Sequence, residues 1–194
     1  MTLAVVIVTA YLLGSFPTSY IVVHQLTGRD IRTMGSGNPG TLNVLDSVGF
    51  WPAVLVGVTD ISKGMAAGAI AYLAGLDDLA AVMAVMAAMV GHDYSIFLRF
   101  DGGHGTAPGI GGAFILLPME TLVAGVAGIL LALAMRNRRV GGLFAMCALP
   151  LLGMWWGAPD VRVYGAMAMV ALTIVIIARD EGFHLSAVRT RNDR

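Results

Sequence analysis

Seven apolar runs joined by short polar connections leave this chain one solvent in which to fold, a lipid bilayer. The runs cover residues 3–26, 50–76, 79–97, 106–117, 120–135, 140–157 and 161–178. A helix needs about 20 apolar residues to cross the hydrocarbon core. Only 12% of the residues are charged and 57% are hydrophobic, against roughly 25% charged in a soluble domain. A core built from 194 residues could not hide that much apolar surface. The expectation is an all-α polytopic membrane protein, one domain over residues 1–194, with glycine-rich loops between seven transmembrane helices. The opening MTLAVVIVTAYLLGSF lacks a basic leader and runs past signal-peptide length, so it reads as a retained first helix.

The basic residues orient this arrangement. Ten of the twelve Lys and Arg fall in four stretches that alternating topology places on one side. These hold Arg29 and Arg32; Arg99; Arg136, Arg138 and Arg139; and Arg179, Arg189, Arg191 and Arg194. The other side receives Arg162 with Asp77, Asp78, Glu120 and Asp160, while Lys63 lies inside a run. Positive residues favour the cytoplasm, which puts the N-terminus outside and the C-terminus inside. The fourth run is short for an upright crossing, and its neighbours would have to shelter it. If it did not cross, Arg136, Arg138 and Arg139 would lie outside, against the charge rule. Gly64 and Gly68 form a small-xxx-small face for close packing, and AAVMAVMAAM reads as packing. Cys147 excludes an internal disulfide and is expected as a small buried hydrophobe.

Polar chemistry gathers on the basic side. The first loop contains Gly35, Ser36, Gly37, Asn38, Gly40 and Asn43. Its G-x-G-x-x-G spacing imitates a dinucleotide fingerprint but lies between membrane helices, not after a strand, so that reading fails. What remains is an anion site: glycines let N–H groups converge, Ser36, Asn38 and Asn43 add donors, and Arg29 and Arg32 add charge. In the second run Asp60 lies one turn before Lys63, and an ammonium inside a membrane needs a partner or a wet cavity. His92 ends the third run, and His104 sits among Gly102, Gly103 and Gly105. Two histidines twelve residues apart with no close Cys or carboxylate set make a poor metal site; proton transfer or phosphate binding suits them better. His24 reads as an interfacial or packing residue. Among Arg136, Arg138 and Arg139, one is placed to reach a phosphate, and Arg138 is the candidate.

GSGNPGTLNVL, then DISKG, then GHDYSIFLRFDGGHG, in this order and spacing, resemble the bacterial acyl-phosphate:glycerol-3-phosphate acyltransferases. The resemblance covers roughly residues 10–142 well and the last two helices in outline. It implies a bacterial inner-membrane enzyme of phospholipid biosynthesis with its site facing the cytoplasm. The implied activity moves a fatty acyl group from acyl phosphate to the 1-hydroxyl of glycerol 3-phosphate, without coenzyme A, acyl carrier protein or another cofactor. Membrane lipid is the implied surrounding, and nucleic acid has no part. By motif position, Lys63, His92 and His104 fall in catalytic roles. Arg32, Gly35, Ser36, Gly37, Asn38, Gly40, Asn43, Gly102, Gly103, Gly105 and Arg138 fall in phosphate or substrate binding. Several positions depart from the family pattern: Asp46 stands where an arginine is usual, His104 where a lysine is usual, and Gly141 or Gly142 where a serine is usual. The C-terminal ARDEGFHLSAVR also differs. Two further readings stay open: a relative without catalysis or with another acceptor, and a small anion transporter.

Overall fold

The computed structural model describes residues 2–192, with side chains at 2–138 and 140–179. Among these residues every regular element is helical. The α-helices are α1 Leu3–Ser15, α2 Thr18–Thr27, α3 Thr41–Ser47, α4 Phe50–Leu73, α5 Asp78–Asp93, α6 Thr106–Leu116, α7 Pro118–Ala134, α8 Arg138–Trp155 and α9 Asp160–Asn192. Single 3-10 turns lie at Ile31–Thr33 and Ile96–Leu98. Four stretches are long and apolar enough to cross a membrane: Leu3–Thr27, Phe50–Leu73, Asp78–Leu98 and Asp160–Arg179. The apolar helices Thr106–Leu116, Pro118–Ala134 and Val140–Trp155 are shorter.

The first run is not one helix. Pro17 supplies no N–H and its ring clashes with the preceding turn; Phe16, restricted by the following proline, leaves the helix at ψ 122°. The run therefore divides into α1 and α2 near its middle. The first loop carries α3, which hydropathy did not predict, and α9 continues helical beyond its apolar run to Asn192.

Helix α5 lies at the centre, against α1, α4, α6 and α9. Its Ala81, Ala84, Val85, Ala88 and Met89 are buried in the main core, so the alanine–methionine run is packing, as its composition predicts. Lipid supplies no hydrophobic drive between helices, and association depends on close contact. Helices α4 and α6 achieve it reciprocally: a Cβ on Gly64 would strike the Pro108 carbonyl, and one on Gly111 the Ile61 carbonyl. Cys147 departs from expectation; it is exposed on α8, because the face that packs against α7 is the one carrying Gly141.

The charged connections sort to two ends. At one, Arg162 of α9 bonds Asp78 Oδ2 at 2.9 Å and Oδ1 at 3.0 Å, and reaches the Leu116 carbonyl at 3.3 Å. At the other, Arg32 reaches Asp101, Arg138 reaches Asp46, and Arg179 reaches Asp93 and the Tyr94 hydroxyl. The basic stretches, far apart in sequence, are thus held against one another.

Candidate active site

The break in the first run creates the site. A helix end leaves carbonyls without their usual intrahelical donors; here side chains from other elements reach two of them, and the Phe16 carbonyl also accepts from Thr18 N–H at 3.0 Å. Lys63 Nζ of α4 donates to the Phe16 carbonyl at 2.5 Å, and Ser95 Oγ donates to the Ser15 carbonyl at 2.5 Å. Lys63 also donates to Asp60 Oδ1 at 2.7 Å, one turn away on the same helix. Both residues are buried, Asp60 at 1% exposure and Lys63 at 6%. An ammonium at this depth is tolerable only with such partners, so the partner expected at Asp60 is present, together with a second one in the chain break.

His92, at the last turn of α5, brings its Nδ1 within 4.0 Å of the same Asp60 oxygen. That is too long for a hydrogen bond but places one carboxylate between an ammonium and an imidazole. His92 also lies within electrostatic reach of Lys63 and His104. The loop after α5 turns back by two consecutive left-handed residues, Arg99 at φ 58° and Phe100 at φ 64°, rare for residues with a Cβ. Gly102 N–H then donates to the Asp93 carbonyl at 2.8 Å and Gly103 N–H to the His92 carbonyl at 3.0 Å. A Cβ on Gly103 would lie 2.5 Å from His92 Nε2. Gly103 therefore makes room for the imidazole. Gly105 starts α6 at φ 68°, and His104 is half-buried between them.

In the first loop several of the donors expected to meet an anion are bonded within the loop itself. Asn43 is buried and saturated: its Nδ2 donates to the carbonyls of Asn38 at 2.9 Å, Met34 at 3.0 Å and Ile31 at 3.4 Å. Its Oδ1 accepts from Ser36 N–H at 3.1 Å and Ser47 Oγ at 3.0 Å. The N–H groups of Gly37, Asn38 and Gly40 go to the Met34 carbonyl, Ser36 Oγ and Asn38 Oδ1. Asn43 is thus the organiser of the loop, its amide spent on backbone instead of offered to a ligand. Gly35, at φ 51°, crosses over Asn43 where a side chain would collide with its Oδ1.

The arginines are also engaged. Arg32 binds Asp30 at 2.8 Å, the Leu98 carbonyl at 3.1 Å and Asp101 at 3.3 Å. It clasps the first loop to the loop after α5. Asp30 sits below the usual aspartate range through the Arg32 hydrogen bond, and Arg32 is raised by the same contact. Arg138 grips Asp46 through two bonds of 2.5 and 3.1 Å, both side chains half-exposed. Each shifts the other toward its charged form. The acid at position 46 therefore meets a base from α8 and does not point into the Lys63 centre. His24 stacks on Tyr20 with centroids 5.6 Å apart, as an interfacial residue would. The side chains of the C-terminal ARDEGFHLSAVR from residue 180 onward lie outside the described residues. Among the described residues no group of three or more His, Cys, Asp or Glu could hold a metal.

A narrow, part-open cleft at the α1–α2 break is lined by Ser15, Thr18, Pro39, Asp60, His92 and Gly103 among others. Of the residues expected from the sequence, Asp60, His92 and Gly103 line this cleft together, and Lys63 is bonded to Asp60. Ser15, Thr18 and Ser95 also line it and were not expected, although Pro17 with hydroxyl residues close by inside an apolar run is a visible sign of a broken helix.

Apolar helices packed around a buried lysine–carboxylate–histidine centre define a multi-pass integral membrane protein with a polar site inside its helical body. The chain matches the family model for glycerol-3-phosphate acyltransferase over residues 4–184, and it belongs to that family. The glycerol-3-phosphate acyltransferase of Syntrophomonas wolfei is 35% identical over 171 residues, covering 88% of this chain and 87% of that protein. That of Endomicrobium trichonymphae is 36% identical over 174 residues, covering 89% and 85%. The fold matches the crystal structure of PlsY (YgiH), an integral membrane glycerol 3-phosphate acyltransferase, in its glycerol 3-phosphate form. The TM-score is 0.84 at 28% identity, with 95% of this chain and 92% of that chain covered. The lysophosphatidic acid form of PlsY matches with a TM-score of 0.82.

Proposed function

We propose that this chain transfers a fatty acyl group from acyl phosphate to the 1-hydroxyl of glycerol 3-phosphate, giving lysophosphatidic acid. The observation that carries the reading is family membership over nearly the whole chain, with a fold like the glycerol 3-phosphate form of PlsY. The buried Lys63–Asp60–His92 centre supports it chemically. Acyl phosphate is a mixed anhydride with a good leaving group, so no covalent enzyme intermediate is needed. The acceptor hydroxyl attacks the acyl carbon, its proton passes to His92, and the carbon–oxygen bond to phosphate breaks. Asp60 steadies the imidazolium and orients Lys63, whose ammonium balances charge on the carbonyl oxygen and the departing phosphate. His104 and the glycine loops, Gly35 to Gly40 and Gly102 to Gly105, border the phosphates. Ser36 and Asn38 contact substrate, whereas Asn43 and Arg32 hold the loops that do so, and Arg138 exchanges Asp46 for a phosphate when one arrives. No cofactor or metal takes part.

The same reading makes the chain a single domain with seven spans, the N-terminus outside, the C-terminus in the cytoplasm, and the site facing the cytoplasm of a bacterial inner membrane. The grouping of the basic stretches at one end supports that orientation. The test is an assay of purified protein in detergent with palmitoyl phosphate and glycerol 3-phosphate, following phosphate and lysophosphatidic acid together. Both products, lost in Lys63→Ala, are expected. Phosphate alone would mean hydrolysis or a different acceptor, and neither product from folded protein would remove the enzyme reading.

A further inference from the structure

Among the described residues, two hydroxyls in the cleft have no hydrogen-bond partner. Ser15 Oγ and Thr18 Oγ1 are buried, at 1% and 7% residue exposure, and neither meets a donor or acceptor. Several helical hydroxyls elsewhere satisfy themselves locally by bonding the carbonyl four residues earlier, although Thr41 Oγ1, at the first residue of α3 as Thr18 is of α2, is also buried without a partner among the described residues. Thr27, Thr59, Ser62, Thr121 and Thr173 all form that local bond, at 2.7 to 3.0 Å. Ser15 and Thr18 do not, and they flank the break at Phe16–Pro17. An unpaired hydroxyl in a dry interior is costly and rare, and each instance needs a reason. Both of these residues line the cleft that also contains Asp60, His92 and Gly103.

We propose that Ser15 and Thr18 are substrate-binding residues whose hydroxyls hydrogen-bond the free secondary hydroxyl of the glycerol acceptor. A hydroxyl both donates and accepts, so a pair of hydroxyls suits a ligand hydroxyl that must do the same. The cleft has about 10 Å³ of accessible space, room for one hydroxyl-sized group and not for an acyl chain. Holding the secondary hydroxyl against the α1–α2 break turns the neighbouring primary hydroxyl toward His92, and so selects which oxygen is acylated. The backbone carbonyls of Ser15 and Phe16 are already occupied by Ser95 and Lys63, so the break itself is anchored while its side-chain hydroxyls stay available.

This inference rests on the acyltransferase reading, and one set of assays separates the two. The probes are glycerol 3-phosphate and 3-hydroxypropyl phosphate, which keeps the primary hydroxyl and the phosphate but lacks the secondary hydroxyl. The wild-type protein should prefer glycerol 3-phosphate in kcat/KM by roughly tenfold or more, the factor that one or two hydrogen bonds supply. Ser15→Ala, Thr18→Val and the double variant should lower that ratio toward one by losing activity on glycerol 3-phosphate, with KM for acyl phosphate unchanged. Thr18→Ser, which keeps a hydroxyl, should retain the preference. Thermal stability separates binding from structure: deleting an unpaired hydroxyl leaves Tm unchanged or raises it, whereas a structural hydroxyl would lower it. An active wild type whose preference survives the double variant overturns this inference and leaves the acyltransferase reading intact. A folded wild type that turns over neither acceptor overturns both.

Discussion

Removing either partner of the Asp60–Lys63 pair should cost far more stability than removing both. The two side chains are 2% and 6% exposed and 2.7 Å apart, so each is the other's main compensation for lost solvation. Breaking a buried pair by deleting one member costs about 3–5 kcal/mol, since a charge is left unmatched. Asp60→Leu should fall in that range. Lys63→Met should fall in the same range, because the Phe16 carbonyl loses one donor but keeps the Thr18 N–H at 3.0 Å. The double variant removes both charges and leaves the Phe16 carbonyl with the Thr18 N–H as its donor, so it should lie within about 1–2 kcal/mol of the wild type. Turnover should stay low in all three, by roughly a factor of 100 or more wherever Lys63 is absent, as for loss of one group that stabilises charge in the transition state. Reversible unfolding in mixed detergent micelles, followed by circular dichroism, gives the stabilities, and phosphate release gives the rates. Single variants within 1 kcal/mol of wild type, or a double variant as unstable as the two singles summed, would refute the buried pair as described.

Asn43→Ala should unfasten the first loop, leaving the Ile31, Met34 and Asn38 carbonyls without their shared donor; a loss of about 2–3 kcal/mol and faster amide hydrogen exchange over 31–47 are expected. Gly103→Ala should displace the His92 ring, which a Cβ would approach to 2.5 Å; kcat should fall at least tenfold, as for a catalytic group out of line, while Tm changes little. The Asp30–Arg32 clasp has a pH signature: Asp30 titrates below its unfolded value, so its contribution is complete above a pH of about 4 and is lost as pH falls through the lowered folded value. An acid titration of Asp30→Asn should therefore converge with wild type only at the acid end, and curves already merged at pH 6 would contradict the assignment.

The sequence by itself determined the class of protein and the residue types of its centre. Apolar runs of spanning length, a lone lysine within one of them, and paired glycine loops on the basic side are local features. Burial cost and backbone freedom act on them wherever they fold, and that is why Lys63, Asp60 and His92 were readable. Pro17 was legible in the same way, as a residue that must interrupt a helix, although hydropathy alone ran the first helix straight through it. What the tertiary structure decided was partnership. Asn43 and Arg32 have the chemistry of ligand donors, yet the carbonyls of Ile31, Met34 and Leu98 and the carboxylate of Asp101 reach them first. Asp46, an apparent charge reversal, is answered by Arg138 across 92 residues of chain. Lys63 finds its second acceptor 47 residues away, in a carbonyl that only a broken helix exposes. A hydrogen bond is assigned by distance and angle within a few ångströms, and those are set when helices pack, not by spacing along the chain.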